Sequence, residues 1–394
     1  GVNAEKMITI ENFVINCLRG DAVVGEQVVW IDFKTMVNFM IDVFKGVGVP
    51  EDEARTCADV LITADKWGID SHGIGRLKTI YYDRIKEGIQ FPVTNMEVVR
   101  EGPTTAVVDG HHGMGQVIAK KAMVLAIDKA SRYGMGMVAV RNSTHFGICG
   151  YYLKMATDAG MIGMVGSNAR PSIAPTFGVE NMLGTNPLTF GFPTDEPFPF
   201  LLDCATSVTQ RGKIEVYARA GKEIPHGWVI DSKGRSRTDA QQILLDLVKG
   251  KAALAPLGGI GEENAGYKGY GYATVVEILS AALQGGAFLK GLSGLDEAGQ
   301  KVPHGLGHFF IAVDIAAFTE LASFKKRTGE ILRELRASRK APGQDRIYTA
   351  GGKEHLAWLE RKEKGVPVGI KLQEEMVSMR DELGLTGYRF SFEK

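Results

Sequence analysis

Apolar residues return every three to four positions across residues 31–46 and again across 51–66, which predicts two amphipathic helices near the start of the chain. In the second, Ala54, Cys57, Val60, Leu61 and Ala64 make the apolar stripe. Pro50 precedes it, and Glu51, Asp52 and Glu53 supply the acidic first turn that a helix dipole favours. A third helix is predicted over residues 73–86. The period then shortens at Val98-Val99 and over 106–108, which read as strands within 96–109, and lengthens again into a helix over 115–133. Strands at 135–140 and 162–167 enclose a helix at 150–159. Residues 171–215, with their prolines and short apolar runs, read as strands and loops of a mixed sheet. A glycine-rich loop at 258–271 leads into a helix over 266–289, a strand follows at 308–314, and 318–385 reads mostly as charged helix. Helical ends around a mixed middle predict an α+β protein. Its helical domain is expected to be discontinuous, from residues 31–105 with 310–394, around a mixed α/β domain of residues 106–309; residues 1–30 form an N-terminal extension.

Composition narrows the class. The chain has 394 residues, long enough for one large or two ordinary domains, with 44% hydrophobic and 23% charged residues, the proportions of a soluble globular protein. Lys plus Arg and Asp plus Glu both number 46, so the net charge is zero and an electrostatic nucleic-acid binder is not expected. No run approaches the roughly 18 apolar residues of a membrane span. Cys17, Cys57, Cys149 and Cys204 form no C-x-x-C pair, which argues against a disulfide framework or zinc ribbon and for a reducing cytoplasm. Residues 1–11 lack the pattern of a secretory signal. The 49 glycines are the anomaly, about 12% against an average near 7%, and they predict many tight turns and close backbone approaches.

Signatures of the commonest nucleotide folds are missing. No G-x-G-x-x-G follows a strand and no Gly-Lys pair completes a P-loop; G-x-S-x-G and H-E-x-x-H are absent too. Four segments carry chemistry instead. In Asp70-Ser71-His72-Gly73-Ile74-Gly75-Arg76, a continued helical turn would set a proton-transfer imidazole beside a guanidinium fork matched to a carboxylate; a capped, solvated surface helix is the alternative. Asn142-Ser143-Thr144-His145-Phe146-Gly147 follows a strand and opens a helix, so a second imidazole meets backbone N–H groups there. His145 with Cys149 is also an alternative nucleophilic pair. Gly184-Thr185-Asn186-Pro187 forms a polar turn, and Asp203, ending an apolar strand, suits either the support of a histidine or a helix cap. Lys268 in Gly266-Tyr267-Lys268-Gly269-Tyr270-Gly271 is a glycine-flanked cation ahead of a helix, suited to an anion such as pyrophosphate. His304 and His308 are separated by glycines and do not make a helical metal pair, so no metal is expected.

These segments, in this order and together with Ala341-Pro342-Gly343, resemble the malate/L-lactate dehydrogenase family that lacks the Rossmann fold, from about Ile31 to the C-terminus. The resemblance implies a non-Rossmann, largely antiparallel mixed sheet for the cofactor and an NAD(P)-dependent 2-hydroxyacid oxidoreductase, usually homodimeric. It assigns the proton relay to His72, with Ser71 and Asp203 as relay partners, and the substrate carboxylate to Arg76, with Thr185 and Asn186 also near substrate. In some members the histidine matching His145 holds the acid/base role, so both are candidates. The cofactor, NAD or NADP, would be lined by His145, Phe146, Gly147, Asn168, Asp203, Cys204, Ala205, Lys268, Arg327 and Gly351.

Relatives act on malate, lactate, sulfolactate, ureidoglycolate, diketogulonate or cyclic imino acids. The Pro256-Leu257-Gly258-Gly259 loop looks most like the malate branch, so malate and oxaloacetate are the expected pair. Two readings from other classes remain: a non-catalytic nucleotide-binding protein, and a cysteine-dependent acyl-transfer enzyme using Cys149 or Cys204.

Overall fold

The computed structural model describes residues 28–393. The N-terminal extension expected at residues 1–30 lies almost entirely outside them. Strand β1 (Val29–Ile31) leads into α1 (Phe33–Gly46), which Asp32 caps by accepting from the Thr35 N–H at 2.8 Å. Helix α2 (Glu51–Lys66) forms as its pattern predicts, with Ala54, Cys57, Val60, Leu61 and Ala64 all buried.

The segment expected as a third helix is not a regular one. It makes two 3₁₀ turns (Asp70–His72 and Ile74–Arg76), a π-helix (Leu77–Tyr82) and a last α turn (Asp83–Lys86). Gly73 breaks the helix with a ψ of −144°, and the Asp65 carboxylate takes the Ile74 N–H at 2.9 Å. A Cβ at Gly73 would lie 1.8 Å from Asp65 Oδ1, so only glycine lets that carboxylate in.

Strands β2 (Glu97–Glu101) and β3 (Thr105–Asp109), helix α3 (Gly115–Tyr133), β4 (Met135–Ser143), α4 (Cys149–Asp158) and β5 (Met161–Ser167) follow. Then come β6 (Leu188–Phe192), β7 (Phe200–Leu202), α5 (Arg211–Arg219), β8 (Val229–Asp231), β9 (Ser236–Arg237), α6 (Ala240–Val248), β10 (Ala252–Leu254) and α7 (Gly266–Ala281). The chain ends with β11 (Leu306–Asp314), α8 (Leu321–Ala337), α9 (Gly352–Arg361), β12 (Val366–Val368) and α10 (Ile370–Glu382).

The seven-stranded sheet runs β2-β3-β4-β11-β5-β6-β7 and is antiparallel at every pairing except β3 with β4, which α3 joins as a parallel crossover. The largely antiparallel mixed sheet expected above is therefore present. Its apolar layer sets Val138, Val140, Val165, Phe310 and Ala312 against Ala119, Ala122, Met123 and Ala126 of α3 and Leu153 and Ala156 of α4. A second core gathers α1, α2, the irregular helix and α10, from early and late segments of the described residues. A third, under the small sheet β10-β8-β9, belongs to α5, α6 and part of α7.

Three expectations need correction. Domain boundaries at 105/106 and 309/310 cut through the large sheet, because β2 pairs with β3 and β11 is a central strand. The helix expected to reach 289 stops at Ala281, ahead of Gly285 at φ +63°. The C-terminal region is broken by irregular chain and by β12, whose Pro367 is tolerated in a two-stranded ribbon. Among the described residues no helix is long and apolar enough to cross a membrane.

Candidate active site

The 3₁₀ turn carrying His72 is pinned from the far end of the chain. Arg361 of α9 donates from Nη2 to Asp70 Oδ2 at 2.8 Å and from Nη1 to the Asp65 carbonyl at 2.6 Å. Behind the turn, burial and then the Asp70 charge push the Asp65 carboxyl well above its ordinary range. Ser71 Oγ lies 2.9 Å from His72 Nδ1, and Arg76 Nε donates to the Ser71 carbonyl, which ties the guanidinium back onto the turn.

His145 comes from the loop between β4 and α4. Thr144 Oγ1 accepts the Gly115 N–H at 2.9 Å, fixing the loop to the start of α3; a Cβ on Gly115 would lie 2.4 Å from the Thr144 and His145 carbonyls. Below it, His308 is fully buried between Ser143 Oγ (2.7 Å) and Ser167 Oγ (2.8 Å), and burial pushes its pKa down to about 3. His308 is thus a neutral support for the loop.

These two loops bring the imidazoles of His72 and His145 into a stack, ring centroids 5.9 Å apart and planes 21° apart. Burial, then the Arg76 charge, pushes His72 down to about 4. Burial also drives His145 well below its ordinary value, helped by the charges of His72, Arg84 and Arg76. Both rings retain some solvent exposure although protein surrounds them. On His145 the Tyr81 hydroxyl sits 2.6 Å from Nδ1, and the Gly147 N–H donates to the same atom at 3.3 Å. An N–H donor at Nδ1 makes that nitrogen an acceptor and leaves the ring proton on Nε2.

Other expected residues fall differently. Asp203 makes no hydrogen bond to either histidine: its Oδ2 accepts the Gly150 N–H at 2.7 Å and caps α4, so the expected relay contact is replaced by the cap. The side chain is exposed along one edge yet flanked by protein, and burial raises its carboxyl to about 6. Asn168 and Asn186 are fully buried: Asn168 accepts the Gly307 N–H at 2.8 Å, and Asn186 donates to Glu277 at 2.8 Å. They shape loops from within. The Thr185 carbonyl accepts the Thr206 N–H at 2.9 Å, tying the polar turn to the chain just after Asp203, Cys204 and Ala205. Phe146 is buried against His308, ring centroids 4.4 Å apart.

Lys268 is exposed in the first turn of α7, its Nζ 5.9 Å from the centre of the Tyr267 ring and without an ion pair among the described residues. Gly351, at φ +91°, packs onto the start of β7, and Glu354 beyond it adds its charge to that on Asp203, so this region adjoins Asp203. Arg327 stands exposed on α8, whose Arg333 donates to Asp195 and Glu196. Cys149 is buried with its thiol pushed well up, and the Cys204 thiol is raised as well, both by burial first and Asp203 second. Neither has the thiolate character of a nucleophile. Tyr81, Arg84 and Arg361 join the site without any motif having marked them.

The family model described as malate/L-lactate dehydrogenase matches residues 31–377. A malate dehydrogenase of Pyrococcus abyssi is 44% identical over 364 residues, 92% of this chain and 98% of the relative. An L-sulfolactate dehydrogenase of Methanocaldococcus jannaschii is 38% identical over 350 residues, 88% of this chain and 95% of that one. The crystal structure of malate dehydrogenase from Entamoeba histolytica superposes with a TM-score of 0.88 at 43% identity, covering 93% of this chain and all of the other. With a family model spanning most of its length and near full-length relatives, the chain belongs to the malate/L-lactate dehydrogenase family, and it is an oxidoreductase.

Proposed function

We propose that this protein interconverts malate and oxaloacetate with NAD or NADP, using His72 as the acid/base. The observation that carries the reading is the stacked pair of neutral imidazoles, 5.9 Å apart, with the Arg76 guanidinium tied beside them. Its donors fit a nicotinamide dinucleotide. From Phe146 to Gly150 the chain offers only glycine or buried side chains between His145 and Asp203, a bare floor for a flat ring. The exposed cation of Lys268 at a helix start suits a pyrophosphate. When bound, that cofactor supplies the hydride chemistry.

Arg76 holds the carboxylate next to the reacting carbon, its planar fork fixing the acid's orientation. His72, neutral in the free protein, takes the proton of the 2-hydroxyl and returns it in the reverse direction, with Ser71 Oγ behind Nδ1 to hold the ring. His145 has its proton on Nε2, so it donates a hydrogen bond to the substrate oxygen and does not accept the proton. That division of labour favours His72 over His145 as the base. Asp203 acts through the floor it caps. The test is loss of reduced-nicotinamide absorbance with oxaloacetate, pyruvate and sulfopyruvate, each with NADH and NADPH. Oxaloacetate is expected to give the highest kcat/KM; preference for another acid overturns the malate assignment, and no turnover with any acid despite cofactor binding overturns the catalytic reading.

We further propose that the chain works as a homodimer in a reducing cytoplasm, where the three cysteines among the described residues stay free. Helix α7 supports the dimer. Ala273, Val276 and Ala281 are buried on one side, while Tyr272, Val275 and Ile278, with Leu283 just beyond, are exposed on the other, so large apolar side chains stand on the solvent side of the helix. Ile278→Glu is expected to shift sedimentation from a dimer to a monomer of 42.7 kDa. A wild-type protein that already sediments as a monomer removes the idea.

A further inference from the structure

We propose that Arg84 is a second anion anchor in this site, one that takes the distal carboxylate of a dicarboxylic substrate. The inference rests on the 2-hydroxyacid reading above and narrows it to diacids.

Arg84 lies in the short turn that follows the π-helix, three residues beyond Tyr81, whose hydroxyl reaches His145. Its charged neighbours there are engaged: Asp83 with Lys78 at 2.8 Å, Lys86 with Glu382 at 2.6 Å, and Glu87 with Lys301 at 2.6 Å. Arg84, among the described residues, has neither a hydrogen bond nor an ion pair, although it is largely enclosed. A guanidinium taken out of water without a partner is costly, and it is retained where an anion arrives to meet it.

Arg84 also has cationic company. The charges of Arg170 and Arg76 act against its own, that of Glu87, itself paired with Lys301, acts for it, and its own charge reaches His145 and His304. Among the described residues, exposed Arg170 has no ion pair and the two terminal amino groups of Arg76 have no hydrogen-bond partner. One carboxylate occupies Arg76 alone. A diacid satisfies Arg76 at one end and Arg84 at the other, and relieves the repulsion between them. The residue thus selects for diacids over monoacids, while His72 and Arg76 serve both.

The experiment compares Arg84→Gln and Arg84→Lys with the wild-type full-length protein. With oxaloacetate, Arg84→Gln should lower kcat/KM by roughly 30- to 100-fold, and Arg84→Lys, which keeps the charge but loses the fork, by a smaller factor. With pyruvate both should change it by less than about threefold. Calorimetric titration with tartronate, which has two carboxylates, should lose affinity by a similar factor in Arg84→Gln, whereas lactate binding and NADH binding should hold within twofold. Equal losses for oxaloacetate and pyruvate would overturn the proposal, as would a loss confined to NADH affinity or none at all. If the wild-type protein reduces neither acid, the malate reading fails by itself. The tartronate and lactate titrations then decide the role of Arg84: a loss for tartronate alone supports it, and any other pattern ends it.

Discussion

His72→Asn is expected to lower kcat by roughly 10³-fold, with NADH affinity unchanged within twofold. The imidazole is held by Ser71 Oγ on one side and stacked on His145 on the other, so asparagine keeps the polarity of the position and removes only the titratable nitrogen. The same group sets a pH signature. Because the folded protein holds His72 down to about 4, kcat/KM for malate oxidation should stay on its plateau as pH falls and drop only near that value. Two anionic carboxylates beside the ring raise its pKa in the complex, so the limb in kcat lies at higher pH. Stability follows the same proton with the opposite preference. The unfolded chain takes it up at the ordinary 6.5 and the folded chain at about 4, so the cost to folding is absent above 6.5, grows as pH falls between the two, and is complete below 4. His145→Asn should lose only about 10- to 100-fold, the value of one oriented donor. Turnover that survives in His72→Asn and vanishes in His145→Asn would exchange the two roles.

What the sequence made readable is tied to local chemistry. Helix α2 follows from Pro50, an acidic first turn and an apolar stripe, all within sixteen residues, and β4 and β5 from short apolar runs. Both imidazoles and Arg76 could be found because each sits in a glycine-bounded turn of unusual composition. The irregular helix was hidden because Leu77–Tyr82 has an ordinary helical composition, and the break ahead of it, where Gly73 admits the Asp65 carboxylate, is visible only in the fold. Asp203 shows the other limit. A carboxylate at a strand end suits a histidine or a helix N-terminus equally well, and the choice depends on Gly150 in the first turn of α4, 53 residues earlier. Arg84 escaped notice for a related reason: lacking a partner is a property of three-dimensional surroundings and leaves no trace in spacing.

Arg361→Met is expected to destabilise the protein by on the order of 3 kcal/mol and to lower kcat by about 10- to 100-fold, although residue 361 touches neither histidine. The guanidinium reaches both oxygens of Asp70 and the Asp65 carbonyl, and removing it leaves Asp70 uncompensated beside a second carboxyl whose pKa its charge already raises. Asp70 opens the same 3₁₀ turn that His72 closes, so freeing one end lets the imidazole move against His145. A displacement of about 1 Å in such a group is enough for losses of this size. The double variant Asp70→Asn with Arg361→Met should recover part of the lost stability, because the stranded charge is gone, while kcat stays low because the turn is still untied. Wild-type kcat in Arg361→Met, with the thermal midpoint lowered, would reduce the pair to a purely structural clamp. The discontinuous helical core has a reason in the same pair: Arg361 is 291 residues from Asp70, so the turn carrying His72 is completed only when the C-terminal segment docks.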